Sequence, residues 1–255
     1  MAIIRKTSTI KTHEPKLNDK QLHILELAYI YRYLTTDNLS LFKQITHNSA
    51  YSALSILTKR GYLGRKHNKS YHLQNKSARY YLTPKAVKLL KTLADERELD
   101  VDILDTRRYE DRKTSNFIDL QVAIMTAMMD IFFSVDDGLD ISTATSMKGQ
   151  EPDNYLRPYP SLEIYNKDTD YHCLIEILPD DQHLFIAKKR IRKYIEHYDN
   201  HNWEWDKYPD IYLVRQSVSD RKRLEAYIAE KMEDAYLDED DFRIYVVKQA
   251  GSFLN

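Results

Sequence analysis

Glycine is scarce in this sequence, at only 5 of 255 residues. Loops that cradle phosphate groups through backbone N–H groups need several glycines close together, so little room is left for a nucleotide-binding loop of that kind. The single cysteine, Cys173, excludes a disulfide framework and favours a reducing compartment. These shortages argue against a nucleotide-binding enzyme with a Gly-rich loop and against a small disulfide-stabilised secreted domain.

Long apolar runs are also missing. No uninterrupted stretch of 18 or more apolar residues is present, and residues 1–16 are too polar for a signal peptide. His197 and His201 lie four apart at a helix end, but no third ligand stands nearby, so the indication of zinc is weak. We therefore predict a soluble, cytoplasmic protein with no membrane partner and no resident metal or other cofactor.

Charge is distributed unevenly along the chain, although its formal net charge is −1. The first 93 residues hold 17 Lys and Arg against 4 Asp and Glu, a surplus of 13 positive charges. The remainder holds 21 basic and 35 acidic residues, a surplus of 14 negative charges. Such an asymmetry is typical of a module that binds a polyanion, joined to a second domain that keeps clear of it.

Periodicity and turn signals predict an α+β protein with four segments: a basic arm (1–17), a DNA-binding domain (18–93), a linker or solvated helix end (94–113) and an α/β domain (114–255). In the first domain, three helical stretches precede two short strand candidates and a helix that opens at Thr83 and Pro84. Residues 67–77 form the polar, basic loop between the strands. This order predicts a winged helix-turn-helix.

The third predicted helix has a polar stripe opposite its apolar one. Asn, Ser and Tyr side chains can contact base edges or phosphates when such a helix enters the major groove. Basic residues at the tip of the wing can reach phosphates or the adjacent minor groove. The predicted DNA-contacting residues are Asn48, Ser49, Tyr51, Ser52, Ser55, Lys59, Arg60, Arg65, Lys66 and Lys69.

In the second half, one helix, three strands and then helix, strand, helix, strand predict an α/β sandwich with a mixed sheet. Together with the first half, the strings LTTDNLSLF, SAYSALSILTKRGYLGRK, YYLTPKAVKLL, LIEI, KRIRKYIEHY and PDIYLVRQSVSDRKRL resemble the replication-relaxation family over roughly residues 20–225. The resemblance implies a winged-helix first half and a role with DNA in the replication, relaxation or transfer of a plasmid or other mobile element.

The resemblance also implies a second half similar to a restriction-endonuclease sheet, of the PD-(D/E)xK type. Such enzymes need an acid after a proline and a Glu-x-Lys on the next strand, which together bind a divalent metal and orient water. Here Tyr159 follows Arg157-Pro158, and Leu178 stands where the lysine would be. We therefore expect a degenerate, non-catalytic domain in which Glu176 pairs with a basic residue of the next helix, from among Lys188, Lys189, Arg192 and Lys193.

The leading prediction is a sequence-specific double-stranded DNA-binding protein, an accessory factor or regulator of a mobile element. A homodimer is plausible for a winged helix, and a replication or transfer protein is the expected protein partner. One alternative is a nuclease or nickase that uses Mg²⁺ or Mn²⁺ with Glu163, Glu176 and Asp180 or Asp181. Another is a protein-interaction module without DNA binding. The sequence leaves the DNA site, the oligomeric state and the host process open.

Overall fold

The computed structural model describes residues 16–67, 69–134, 138–149, 156–201, 203, 205–238 and 240–251. The chain has a mixed α+β fold, as predicted, in which helices precede a mixed sheet. Of the predicted basic arm, only Lys16 and Leu17 belong to the described residues. Asn68, in the predicted wing loop, lies outside them.

The first 93 residues form helices around one two-stranded hairpin. Asn18 caps the first helix by accepting from the backbone N–H of Gln21, and the side-chain oxygen of Gln21 accepts from the backbone N–H of Asn18. Thr83 caps the last one, with Pro84 at its first position. The elements are α1 (Asp19–Tyr31), α2 (Thr36–Lys43), α3 (His47–Lys59), β1 (Leu63–Lys66), α4 (Lys69–Leu73), β2 (Arg79–Leu82) and α5 (Pro84–Thr92).

Two glycines shape the passage from α3 into the hairpin. Gly61 has a φ of +73°, the left-handed conformation that ends a helix and that other residues adopt at a cost. A Cβ on Gly64 would collide with the ring of Tyr81 on the facing strand, so any other residue at this position would require that ring to move. The loop predicted for residues 67–77 differs in one respect, because it contains the short helix α4.

The segment 94–113, for which the sequence predicts a linker or solvated helix end, forms α6 (Val101–Thr106) and a 3-10 helix (Arg107–Arg112). Ile103 and Leu104 of α6 are buried in the core of the first half. The Nε of Arg107 donates to the backbone oxygen of Tyr29 at 2.9 Å. Burial of these apolar groups holds the segment against α1 and α5. The high charge of the segment had instead suggested that it would be exposed.

The second half is built on a five-stranded sheet with the order β3-β4-β5-β6-β7. The first three strands are antiparallel, whereas β5, β6 and β7 are parallel. Its elements are α7 (Ser115–Ser134), β3 (Leu139–Thr143), α8 (Ala144–Gly149), β4 (Leu162–Asn166), β5 (Tyr171–Ile177), α9 (Leu184–Asp199), β6 (Asp210–Val214), α10 (Val218–Asp234) and β7 (Ile244–Val247).

Both faces of this sheet are covered, as the apolar strands predict. Leu174 and Leu213 face α9 and α10, whose Ile191 and Leu224 pack into the same core. Cys173 and Ile175 point to the opposite face, where they pack with α7. The alternation along β5 therefore assigns successive side chains to two separate cores.

Helix α7 belongs to both halves of the chain. Met125 packs into the core of the first half, whereas Met129 and Ile131 pack under the sheet. Across the same contact, the hydroxyl of Tyr31 donates to the sulfur of Met128 at 2.8 Å. Within the described ranges, Ser115–Phe133 is the one helical stretch whose length and composition would suffice to cross a membrane, a test that core helices also pass.

Candidate nucleic-acid interface

Helix α3 is held by an apolar face and a capped N-terminus. Ala50, Leu54 and Leu57 are fully buried, at the spacing of one side of a helix. The hydroxyl oxygen of Thr46 accepts from the backbone N–H of Ser49 at 3.2 Å, which satisfies one of the free N–H groups at the helix start. These contacts fix the rotation of α3 and so determine which side chains face outward.

The outward face of α3 carries the polar residues that the sequence singles out. Asn48, Ser49, Ser52 and Lys59 are exposed, and Tyr51 is half exposed. Ser55 lies lower on the same face and is partly covered. The thirteen residues of α3 include no Asp or Glu. The structure thus brings the six α3 candidates to one side of the molecule, while their contact with DNA stays a prediction.

An exposed apolar residue, Ile56, belongs to this face and was missed at the sequence level. Its side chain is 46% exposed, although an isoleucine at that position would ordinarily be assigned to the core. Its spacing of four residues from Ser52 was the signal that could have identified it. An apolar side chain in a major groove can contact the methyl group of thymine, so Ile56 fits the chemistry of its neighbours.

A carboxylate also lies close to the start of α3. Oδ1 of Asp37, at the beginning of α2, is 3.3 Å from Nε2 of His47, and both side chains are more than half exposed. Ser77, just before β2, donates a hydrogen bond to the same Asp37 carboxylate. A polyanion approaching α3 would therefore meet one negative charge at this edge, partly shielded by its two partners.

Arg65 and Lys69, at the tip of the hairpin, are exposed. The guanidinium of Arg65 lies 3.4 Å from Nδ1 of His67. Partial desolvation, followed by the positive charges of Arg65, His72 and Arg79, lowers the pKa of His67. The neutral form of His67 is therefore favoured near pH 7, and Arg65 and Lys69 supply the charge at this tip.

Lys66, predicted to contact DNA from the wing, is turned toward the segment 94–113. Its Nζ donates to the backbone oxygens of Asp111 and Lys113, at 3.2 and 3.0 Å. Backbone carbonyls at the end of a helix have no partner within the helix and attract an ammonium group. This attraction holds the Lys66 side chain away from solvent at the hairpin tip. The ammonium group of Lys66 thus points away from the hairpin tip, and its contact with DNA stays a prediction.

Two further cations of the hairpin pair with one acid of α7. Asp119 accepts from Nζ of Lys76 at 2.6 Å and lies 3.3 Å from Nη2 of Arg79. Arg32 similarly pairs with the buried Glu110 at 2.6 Å. The positive first third and the negative remainder are therefore not separate in space, since acids of the second part neutralise some cations of the first.

Arg60, at the end of α3, is half-buried and contacts its own half of the chain. Its guanidinium lies 5.5 Å from the ring centre of Tyr62, and Nη1 donates to Gln21 at 3.3 Å. Lys85 lies over the same ring at 4.4 Å and donates to the backbone oxygen of Arg60. The ring of Tyr62 thus contacts two cations beside the C-terminal end of α3. One of them, Arg60, is a predicted DNA-contacting residue.

The carboxylates named for the nuclease alternative lie in two places on the sheet. Glu163 and Glu176 point to the same face of adjacent strands, and Leu174, which is opposite Glu163 and two residues before Glu176, packs into the core. Oε1 of Glu163 is 2.7 Å from Nε2 of His172. Asp180 accepts from the backbone N–H of Ser217 at 3.1 Å, after the end of β5. Asp181 is exposed.

Glu176 is buried, and one of its carboxylate oxygens accepts two hydrogen bonds. Its Oε1 accepts from Nε of Arg190 at 2.5 Å and from the hydroxyl of Tyr194 at 2.6 Å. Burial, and then the charge of Glu176, raises the pKa of Tyr194, so this hydroxyl keeps its proton and donates. The partner helix was predicted correctly, but the partner is Arg190, which was not among the four residues proposed.

The remaining candidates for metal binding are not gathered into a ligand set. Among the described residues, no group of three or more His, Cys, Asp or Glu side chains is close enough to hold a metal ion. His197 lies 2.8 Å from the hydroxyl of Tyr208, and His201 lies 2.8 Å from the backbone oxygen of Asp199. Leu178, at the position of the nuclease lysine, is buried in the sheet core.

No protein-family model and no curated protein matches this chain. Similar solved structures include the DNA complex of a cysteine-to-serine mutant of Lactococcus lactis ZitR, at 22% identity and a TM-score of 0.28 over 46% of this chain and 76% of that one. A glutamate-to-alanine mutant of the same ZitR is 19% identical, with a TM-score of 0.27 over 51% and 82%. TrmBL2, an archaeal chromatin protein, is 16% identical, with a TM-score of 0.18 over 91% and 81%. At these TM-scores the likenesses carry no conclusion about this chain.

Proposed function

We propose that this protein binds double-stranded DNA through a winged helix-turn-helix formed by residues 18–93, with α3 in the major groove. The observation that carries the proposal is the outward face of α3: Asn48, Ser52 and Lys59 are exposed on a helix without a single carboxylate. Amide and hydroxyl groups can read base edges, and the absence of negative charge removes repulsion from the phosphates.

The cations that accompany α3 are Lys59, Arg65 and Lys69, all of them exposed. We place Lys66 outside this set, because its ammonium group donates to two backbone carbonyls of the segment 94–113. Arg60 stays in the set as a flanking cation above Tyr62. Phosphate contacts by these residues would give affinity without sequence preference, and the α3 face would add the preference.

For the second half we propose a nuclease-like sheet that does not cleave and that serves assembly or docking of a protein partner. Glu176 is held by Arg190 and Tyr194, and Leu178 supplies no amine next to it. The proposed setting is the resemblance stated above: an accessory factor or regulator in the replication, relaxation or transfer of a mobile element, cytoplasmic and dimeric on inverted half-sites.

The test is fluorescence anisotropy of the full chain with a labelled duplex at several salt concentrations. Counterion release predicts that the logarithm of the affinity falls by about 0.9 per contacted phosphate for each log unit of salt. The full chain is needed, because Ile103, Leu104 and Met125 belong to the core of the first half and a fragment ending near residue 93 would lack them.

Two results would overturn the proposal. A flat salt dependence, or no binding in dilute buffer, would favour the protein-interaction module. Nicking of supercoiled plasmid in Mg²⁺ or Mn²⁺ would favour the nuclease, whose supporting observation is that Glu163 and Glu176 share one face of adjacent strands.

Selection of bound fragments from random DNA then gives the spacing and symmetry of the site, and with them the oligomeric state on DNA.

A further inference from the structure

A cavity of about 430 Å³ lies beside Glu176, between α7, the start of α9 and the end of β5. Its walls are mainly apolar: Leu120 and Ile124 come from α7, Ile177 and Leu178 from the end of β5, and Tyr159 from the segment before β4. A volume of this size lies in the range of pockets that enclose small organic molecules, which is about 300–1,000 Å³. The DNA-binding proposal makes no use of this cavity.

Three cations of α9 line the same cavity: Lys189, Arg190 and Lys193. The one carboxylate that faces them there is Glu176, so the charges that line the cavity leave a surplus of two positive charges. Lys189 is exposed, and Lys193 is half-buried, with its Nζ donating to the backbone oxygen of Arg157 at 3.1 Å. An anionic group is the complement to this charge pattern.

Arg190 gives an independent indication of a ligand. Its side chain is only 7% exposed, and Nε is taken by Glu176. Nη1, which is shielded from solvent, has no hydrogen-bond partner within the described part of the chain. A buried guanidinium N–H without a partner is costly, because it has lost its hydrogen bonds to water without gaining others. The Arg190 side chain lines the cavity, so an oxyanion there would compensate the charge of this buried cation.

The opening of the cavity is also suited to an organic ligand. Ile186, on the first turn of α9, lines the cavity and is 46% exposed. Phe185 beside it is 62% exposed. Exposed apolar groups at a pocket mouth can cover the body of a bound molecule, whereas an inorganic ion would gain nothing from them.

We propose that this cavity binds a small organic acid, with its carboxylate toward Arg190, Lys189 and Lys193 and its apolar body against Leu120, Ile124 and Leu178. The anionic head satisfies the buried cation, and the walls of α7 and β5 take the hydrocarbon part. The site is independent of α3 and the hairpin, so failure of DNA binding would leave this proposal standing, and the reverse also holds.

Isothermal titration calorimetry of the full chain with 4-phenylbutanoate tests the charge requirement, with 4-phenylbutanamide as the neutral counterpart of the same shape. We expect saturable binding of the acid at one site per chain and binding of the amide weaker by about tenfold or more, as loss of a charge-assisted hydrogen bond predicts. Inorganic phosphate is the third probe, and we expect it to bind more weakly than the acid because it lacks an apolar body.

Variants then place the binding in this cavity. The double substitution Lys189→Gln and Lys193→Gln should weaken binding of the acid by about tenfold or more. Arg192→Gln is the matched control, since Arg192 is exposed on the same helix and does not line the cavity. Gln121→Phe fills the mouth from α7 and should abolish binding without any change of charge. Arg190→Lys should also weaken binding of the acid. If Arg190→Lys fails to fold, the comparison between the Lys189/Lys193 double variant and Arg192→Gln tests the proposal.

The proposal is overturned by any of four results: no saturable binding of 4-phenylbutanoate, equal binding of the acid and the amide, phosphate binding as tightly as the acid, or an equal loss in Arg192→Gln. A loss of DNA affinity in the Lys189/Lys193 double variant, with unchanged binding of the acid, would instead identify these lysines as DNA contacts and would also overturn it.

Discussion

Lys76 of the hairpin and Asp119 of α7 form an ion pair in which Nζ and Oδ2 are 2.6 Å apart. The pair joins a residue of the cationic first third to an acid of the anionic remainder. Arg79 shares the same carboxylate from β2. The net positive charge of the hairpin is therefore set in part by α7. Under the proposed function, a change in α7 should alter DNA affinity without any change in α3.

Replacement of Asp119 by Asn should raise affinity for every DNA sequence and lower stability. The change leaves Lys76 without a counter-charge, and one added phosphate contact would steepen the salt slope by up to about 0.9. Arg79 is buried, so loss of its partner should lower the free energy of unfolding by about 1–3 kcal/mol. Anisotropy titrations and urea unfolding measure the two effects.

Asp102→Asn is the control for this variant, because it removes one exposed acid of α6 and changes the net charge by the same amount. Equal gains in DNA affinity from the two variants would show that only net charge matters. The ion pair between Lys76 and Asp119 would then have no part in binding.

Lys66 and Lys69 provide a matched pair on one hairpin. Lys69→Ala should reduce the salt slope by about 1 and weaken binding to all sequences, because an exposed phosphate-contacting cation is lost. Lys66→Ala should leave the slope nearly unchanged and should lower stability by about 1 kcal/mol, because it removes hydrogen bonds to the carbonyls of Asp111 and Lys113. Salt titrations of both variants, together with thermal unfolding, make the comparison. A slope reduced only by Lys66→Ala would reverse these assignments.

The two lysines also show where sequence reasoning ends. Caps and apolar spacing are local signals, and they correctly placed the start of α5 at Pro84 and the buried face of α3. The direction of Lys66 depends on carbonyl groups about 45 residues further along the chain, to which no local pattern in β1 refers. A count of charges treats Lys66 and Lys69 as equivalent, although Lys66 is hydrogen-bonded to two backbone carbonyls and Lys69 is exposed.

Glu176 gives a second example of the same limit. Alternation along β5 and the next helix were enough to predict a carboxylate paired with a cation of α9. The residues proposed were lysines and arginines assigned to the flanks of the helix, whereas Arg190 lies on the inward face between Ala187 and Ile191. A long guanidinium can stay in the core when it meets a carboxylate and a hydroxyl, and that pairing is visible only in three dimensions.

Asn48 should carry sequence discrimination and not general affinity. Asn48→Ala should weaken binding to the selected site by about 1–3 kcal/mol while affinity for random duplex changes little, because an amide that pairs with a base edge distinguishes sequences. Ser52→Ala, on the same face one turn later, should act in the same direction. The measurement is the ratio of specific to random affinity at one salt concentration.

Thr58→Ala is the control for these α3 variants, because its hydroxyl donates back to the carbonyl of Leu54 at 2.8 Å and is not available to DNA. Equal weakening on both kinds of DNA in Asn48→Ala would indicate a phosphate contact. An unchanged ratio in both α3 variants would contradict major-groove docking of α3.

Glu176 is expected to stabilise the fold, and not to bind a catalytic metal. Glu176→Gln leaves the buried guanidinium of Arg190 without a counter-charge, and removal of one partner from a buried pair typically costs about 3–5 kcal/mol. Asp181→Asn, an exposed acid just beyond the same strand, should change the free energy of unfolding by less than about 0.5 kcal/mol. Urea unfolding of the two variants distinguishes a structural carboxylate from a dispensable one.

The same variant tests for cleavage. Wild-type protein incubated with supercoiled plasmid and Mg²⁺ or Mn²⁺ should leave the plasmid intact, because Oε1 of Glu176 already accepts from Arg190 and Tyr194 and no amine stands at Leu178. Nicking by the wild type that disappears in a Glu176→Gln protein still folded by circular dichroism, but persists in Asp102→Asn, an exposed acid outside the nuclease alternative, would contradict the structural role. It would assign the metal to Glu176, because a contaminating nuclease would act equally in all three preparations.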